Sequence, residues 1–353
     1  MALTSILTAG SSRIFLGCSD GIYLSSLNLE TGELAPAHLL TLAKNPSFLA
    51  INASGNILYS VLENDGHVAS WTVKQNGSLS SLNSRSTGGS GPCHVSLSPS
   101  ERVLLVANYI GGSIASFPIE QDGSIGACAS FYQFTGTGPN LERQKGPHAH
   151  GIFCDPSGHS IYVTDLGTDK VWVFTLDSKT GVLTKNEPAF ANLTPGSGPR
   201  HLTFSADGKC IYVNGELDLS ISTLTIDPAS SGLRLVCSIP TFPKNISLKG
   251  NTDTAEIVLH HNEKWLYVST RGTSSISVFA ITENGELSFL HNTFLSVDGP
   301  RHFSISPDGK WMIVAGQNSN SITVLAIDPI TGYLHSTGHS IVSKSPMCVI
   351  FAP

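Results

Sequence analysis

A repeated framework in this chain keeps its scaffold residues similar from copy to copy, while six of its positions carry His148, Arg200, Glu216, Arg271, Arg301 and Gln317. A guanidinium stays charged at any working pH and matches the paired oxygens of a carboxylate or phosphate, so three that converge imply an anionic ligand. Among them Glu216 is expected to be ionised and able to orient or deprotonate a water, and an arginine beside a reacting carbonyl would stabilise oxyanion charge. His148 can serve as acid, base or hydrogen-bond anchor. The bland alternative is an ion pair between neighbouring repeats, with Glu216 as the mate of Arg200 or Arg301.

Three further residues join Arg301 and Gln317 as expected ligand-binding groups. His150 lies two positions after His148 in GPHAH, so strand alternation puts both imidazoles on one side. Tyr109 takes the place of Glu216 in an earlier copy. His94, His201 and His302 each follow the leading position of a copy and are expected to point away from it as packing residues, with His201 the strongest exception. The expected set is therefore catalytic Glu216, His148, Arg200 and Arg271, with Arg301, Gln317, His201, His150 and Tyr109 binding.

Residues so far apart in sequence need a scaffold that returns them to one place. The copies are NPSFLAINASGNILYSVL from Asn45, GPCHVSLSPSERVLLVANY from Gly91, GPHAHGIFCDPSGHSIYVTD from Gly146, GPRHLTFSADGKCIYVNGE from Gly198, TAEIVLHHNEKWLYVSTR from Thr254 and GPRHFSISPDGKWMIVAGQ from Gly299. A seventh starts with SPMCVIFAP at Ser345 and stops. Pro46 to Pro346 spans 300 residues in six intervals, a mean of 50, the size of a four-stranded propeller blade with its loops. Residues from Arg13 to Lys44 supply about three strands, and pairing the last strand with them would close a ring of seven without an open sheet edge. The expectation is an all-β, seven-bladed propeller of antiparallel blades in one domain, residues 1–353. Leading positions (Ser47, Cys93, His148, Arg200, Ala255, Arg301, Met347) and loops after each second strand (Glu63, Tyr109, Leu166, Glu216, Arg271, Gln317) would then meet at one channel mouth.

Composition narrows the partners. With 40% apolar and 13% charged residues and a net charge of −6, the chain lacks the basic footprint of nucleic-acid or anionic-membrane binding, so the expected partner is a small molecule. The opening MALTSILTAGSSR lacks the basic start and apolar run of a signal peptide, which makes the cytoplasm the expected compartment and the sequons at Asn52, Asn192 and Asn245 chance matches. Seven scattered cysteines without a CxxC pair are expected to be reduced and mostly buried. His260 and His261, adjacent in a strand, would face opposite sides, and HAH supplies two ligands at most, so neither metal nor cofactor is expected. GxSxG, GxxxxGK[ST] and GxGxxG-plus-helix motifs are missing, and TGTGPN from Thr135 reads as a flexible segment.

Taken together, GPCHVSLSP, VANYIGG, GPHAH, VTDLGTDKVWVF, GPRHLTFSADGK, GELD, STRGTSSISVF, GPRHFSISPDGK and AGQNSNSITV resemble the seven-bladed propeller lactonase family. That family includes propeller-type bacterial 6-phosphogluconolactonase and the fungal 3-carboxy-cis,cis-muconate lactonizing enzyme. The resemblance runs from about Ile14 to Pro353. It implies a metal-independent enzyme acting on a lactone that bears a phosphate or carboxylate, with one His, two Arg and one Glu carried over to His148, Arg200, Arg271 and Glu216. The reaction expected first is 6-phosphogluconolactone to 6-phosphogluconate, feeding the pentose phosphate pathway, with Glu216 activating water. A carboxymuconate-type cycloisomerase, another aldonolactonase and a non-catalytic binding scaffold are the alternatives.

Overall fold

The computed structural model describes residues 10–243 and 252–353; most of the opening segment and the Asn245 sequon lie outside them. Seven four-stranded antiparallel sheets form the ring. β1 (Ser11–Cys18), β2 (Gly21–Asn28) and β3 (His38–Leu42) are joined by the C-terminal β28 (Pro346–Phe351), which pairs antiparallel with β1 and closes the ring as the repeat count predicts. The other blades run in sequence order, with innermost strands β4 (Leu49–Ile51), β8 (Pro92–Leu97), β12 (Ala149–Cys154), β16 (Pro199–Phe204), β20 (Thr254–Leu259) and β24 (Pro300–Ile305). Their hydrogen-bonded second strands are β5 (Ile57–Leu62), β9 (Val103–Asn108), β13 (Ser160–Asp165), β17 (Cys210–Gly215), β21 (Trp265–Thr270) and β25 (Trp311–Gly316). Among the described residues the only helix is the short 3₁₀ turn Glu63–Asp65.

The turn chemistry follows from the sequence. In SADGK and SPDGK, Gly208 and Gly309 take φ of 67° and 72°, a region costly for any residue with a Cβ. The apolar sides of neighbouring blades pack into clusters such as Tyr162, Val213 and Leu224 or Tyr267, Phe303 and Val314. Polar staples add to this packing. Tyr59, Tyr162, Tyr212 and Tyr267, at equivalent places in their second strands, each donate a hydroxyl hydrogen bond to a backbone carbonyl in the next blade's outer hairpin, at Gly123, Ser231, Gly285 and Gly332.

The innermost strands share one irregularity that matters for function. Pro92 pairs with Asn108 and His94 with Ala107, so Cys93 is an extra residue, and the same two-against-one bulge recurs at His150, Arg301 and Met347. In blades five and six Arg200–His201 and Ala255–Glu256 occupy the bulge. A bulge breaks the strict alternation of a strand, letting two successive side chains turn to the same side. Here that side is the channel: Phe48 of blade two touches the rings of His94, His201 and His302, which come from blades three, five and seven. The expectation that these three histidines point away from the leading residues is therefore corrected.

Three smaller expectations also change. Three cysteines, Cys18, Cys93 and Cys348, are buried, but Cys128 and Cys237 are exposed; all seven are free. His260 and His261 lie just past the end of β20, and both hydrogen-bond to carbonyls of the next blade's first hairpin, at Gly309 and Ser306. The TGTGPN segment is fastened to the body of the protein, because the buried Gln144 amide donates to Leu166 O and Asp169 Oδ1 and accepts from Asn140 N.

Candidate active site

Glu216 immediately follows β17, and its backbone N–H donates to Gly198 O at the start of the same blade. Glu63, Tyr109, Arg271 and Gln317 make the same bond to Asn45, Gly91, Asp253 and Gly299, so these positions are equivalent around the mouth. Within this ring Glu216 is the focus of charge. Its Oε1 accepts from Arg143 Nη2 at 2.6 Å and lies 3.2 Å from Arg271 Nη2, and its Oε2 lies 3.0 Å from Arg200 Nε. Glu216 and Arg200 are each only 2% exposed. Arg271 continues the network outward through Nε to Asp253 Oδ1 at 2.6 Å.

Electrostatics follow from this crowding. Burial alone would push the Glu216 carboxyl up, yet Arg271, Arg200 and Arg143 together overcome it and hold the group down at about 2. Burial and then the nearby charge of Arg301 draw the Arg200 guanidinium down to about 10, still charged at neutral pH. Burial raises Asp253 despite Arg271. His150 sits with Nε2 3.9 Å from Glu216 Oε2, and burial followed by Arg200 keeps its imidazole well below the ordinary range and therefore neutral. Arg200 Nε, Arg271 Nε and Nη2 and Glu216 Oε2 lie at ion-pair distance without an aligned hydrogen bond, so the cluster is held by charge more than by hydrogen-bond geometry.

His148 has a different setting. It is partly exposed, and its ring stacks on Tyr109 at 4.6 Å. Its Nδ1 lies 2.8 Å from Tyr109 O. A carbonyl only accepts, so Nδ1 must carry a proton, which leaves Nε2 of the neutral ring as the free acceptor. Its backbone is fixed too: buried Asp165 takes His148 N–H at 2.8 Å while also holding Gly167 N–H, the Thr168 hydroxyl and Trp172 Nε1. Tyr109 links the imidazole to the acid, since its hydroxyl accepts from Arg143 Nη2 at 3.2 Å.

The family described as "Lactonase, 7-bladed beta-propeller" matches residues 6–351. The chain belongs to the seven-bladed β-propeller lactonase family. It is 32% identical over 339 residues to the 6-phosphogluconolactonase of Bacillus subtilis, covering 95% of both chains, and 30% identical to that of Formosa agariphila, covering 91% of this chain and 92% of the other. Among solved structures, the Pseudomonas aeruginosa periplasmic gluconolactonase superposes with a TM-score of 0.89 at 28% identity, covering 97% of this chain and 99% of that one.

In this lactonase fold the leading-position set needs one correction. Leu166 N–H donates to His148 O, where Tyr109 uses Gly91, and Ala149 pairs with Asp165 as Pro92 pairs with Asn108. His150, not His148, is thus the equivalent of Cys93 and Arg200, and His148 sits on the rim beside Tyr109. Arg200, Glu216 and Arg271 are brought together as expected, with His150 beneath them. Arg301 faces the same channel from blade seven, with Gln317 in the loop beside it. His201 lies one layer deeper, where its Nδ1 meets the Glu256 carboxylate at 3.0 Å and His302 Nε2 approaches the same oxygen at 3.3 Å.

Sequence reasoning missed Arg143, Asp253 and Glu256. Arg143 and Asp253 come from connections between copies, where no repeat alignment can see them. Glu256 stands at the second bulge position and was masked by its neutral neighbour Ala255. Among the described residues no three of His, Cys, Asp and Glu gather as a metal site, and no helix is long and apolar enough to cross a membrane.

Proposed function

We propose that this protein hydrolyses 6-phosphogluconolactone to 6-phosphogluconate, acting in the cytoplasm in the pentose phosphate pathway. One observation carries the reading: three guanidiniums surround a single buried carboxylate at the mouth, beside an imidazole whose free nitrogen is fixed by its backbone bond. A carboxylate held near 2 is a poor proton acceptor at neutral pH, so water activation passes from Glu216 to His148. His148 Nε2 takes a proton from water as the oxygen attacks the lactone carbonyl. Arg271 and Arg200 stabilise the oxyanion of the tetrahedral adduct. Its collapse breaks the bond to the ring oxygen, which leaves as the sugar hydroxyl after receiving the proton back from His148. Glu216 keeps the like-charged guanidiniums side by side.

The resident charge suits such a ligand. Arg143, Arg200, Arg271 and Arg301 outnumber Glu216, Asp253 and Glu63 at the mouth, an electropositive well in a protein of net charge −6. Such focusing attracts a dianion. A second reading, an unphosphorylated aldonolactone, draws on the likeness to the Pseudomonas aeruginosa gluconolactonase. Proton release on phosphorylated and unphosphorylated gluconolactone, with and without chelator, separates the two. Faster opening of the phosphorylated lactone, insensitive to chelator, is expected; an unchanged spontaneous rate would remove the proposal.

A further inference from the structure

Blades five and seven carry the same local frame with one difference. In blade five the bulge residue Arg200 meets Glu216, the residue after the second strand, at 3.0 Å. In blade seven the bulge residue is again arginine, Arg301, and the residue after the second strand is Gln317, whose N–H bonds Gly299 O just as Glu216 N–H bonds Gly198 O. A neutral amide thus stands where the other frame has its counter-ion. Among the described residues Arg301 has no hydrogen bond and no ion pair, although it is half-buried, and the other guanidiniums at the mouth all reach Glu216.

A half-buried guanidinium without an acceptor retains all its donors and its full charge, which a phosphate can take up bidentately. Arg301 lies across the channel from His148, because in a ring of seven, blade seven lies across the axis from blades three and four, which present Tyr109 and His148. We propose that Arg301, with the Gln317 amide beside it, forms the subsite for the phosphate of the lactone, on the side of the channel opposite His148. This rests on the lactone-hydrolase reading and deepens it, since it assigns selectivity for a phosphorylated substrate to a frame distinct from the one around Glu216.

The most informative variant is Gln317→Glu, which gives Arg301 the internal counter-ion already present in blade five. It should raise KM for 6-phosphogluconolactone about 10- to 100-fold, the range for losing a charge-assisted contact, with kcat within about 3-fold and a smaller rise in KM for unphosphorylated gluconolactone. Arg301→Ala should behave alike, and Arg301→Lys should recover part of the loss. Inorganic phosphate, titrated calorimetrically into the wild type and both charge-altering variants, reads the subsite without turnover; binding is expected in the wild type alone. Equal losses on both lactones, or phosphate binding unaffected by Gln317→Glu and Arg301→Ala, would overturn the subsite while the hydrolase reading stands. A wild type that binds phosphate through Arg301 yet opens neither lactone would sustain the subsite and remove the reaction.

Discussion

Glu216 and Glu256 are both buried carboxylates facing the channel, yet their surroundings drive them in opposite directions. Three guanidiniums hold Glu216 at about 2, against the effect of burial. Glu256 lies one layer deeper between His201 and His302, whose imidazoles are themselves pushed down by burial, and its carboxyl is raised because burial outweighs what His302 and Arg200 return. The contrast teaches that burial alone does not decide which way a carboxyl shifts in this channel; the identity of its partners does. The upper layer is a charged cluster held by ion pairs, and the lower layer packs Phe48 against the buried His94, His201 and His302 around one acid.

Breaking the upper layer should have the largest effect. Glu216→Gln leaves three arginines facing one another, two of them substantially buried, and should cost about 3–5 kcal/mol in denaturant unfolding and abolish measurable lactone turnover. The equivalent change below, Glu256→Gln, removes a weaker set of contacts. A loss of about 1 kcal/mol is expected, with turnover within about 3-fold of wild type. Similar losses from the two variants would erase the distinction between the layers.

Acidity sharpens the same contrast. Because the folded state holds Glu216 at about 2 against an ordinary 4.5, this group's stabilisation is complete above pH 4.5 and is lost as pH falls from there toward 2. Glu256 has the opposite sign: its raised carboxyl binds a proton more readily folded than unfolded, so its contribution declines as pH rises above 4.5. The buried neutral imidazoles add a third slope, since His302 is lowered from 6.5 to about 4 and stability falls as pH drops through that interval. Urea unfolding from pH 7 to 3 should show Glu216→Gln losing less on acidification than the wild type, and Glu256→Gln losing more.

Arg143 tests the rim. It is the most exposed of the three guanidiniums, with 38% of its side chain accessible, so Arg143→Ala should lower kcat/KM about 10-fold while leaving unfolding within about 1 kcal/mol. The smallest effect belongs away from the channel altogether. Tyr267→Phe removes one interblade hydrogen bond to Gly332 O and should cost about 1 kcal/mol with unaltered turnover.

The ring was legible in sequence because every copy repeats its hairpin tips and strand alternation, and closure followed from counting strands at the two ends. Arg200, Glu216 and Arg271 were legible because they break that repetition. The placement of His148 failed for a specific reason: GPHAH imitates the Gly-Pro start of GPCH, but the register counts from the hairpin tip, and Pro156 lies seven positions after Ala149 just as Pro99 lies seven after Pro92. The channel-facing turn of His94, His201 and His302 was hidden because a bulge violates alternation, and the Gly-Pro before each one reads as the start of a strand. Arg143 belongs to the longest stretch between leading positions, from Ala149 back to Pro92, and unusual length is the one trace it leaves.

The proposed hydrolysis at this mouth depends above all on His148 Nε2 moving the proton. His148 is partly exposed and outside the packed lower layer, so His148→Gln should fold with an unfolding midpoint close to wild type. Measured by proton release on 6-phosphogluconolactone, the wild type should exceed the spontaneous opening rate and His148→Gln should lose about 10²- to 10⁴-fold in kcat. A folded His148→Gln protein with wild-type turnover would contradict the claim.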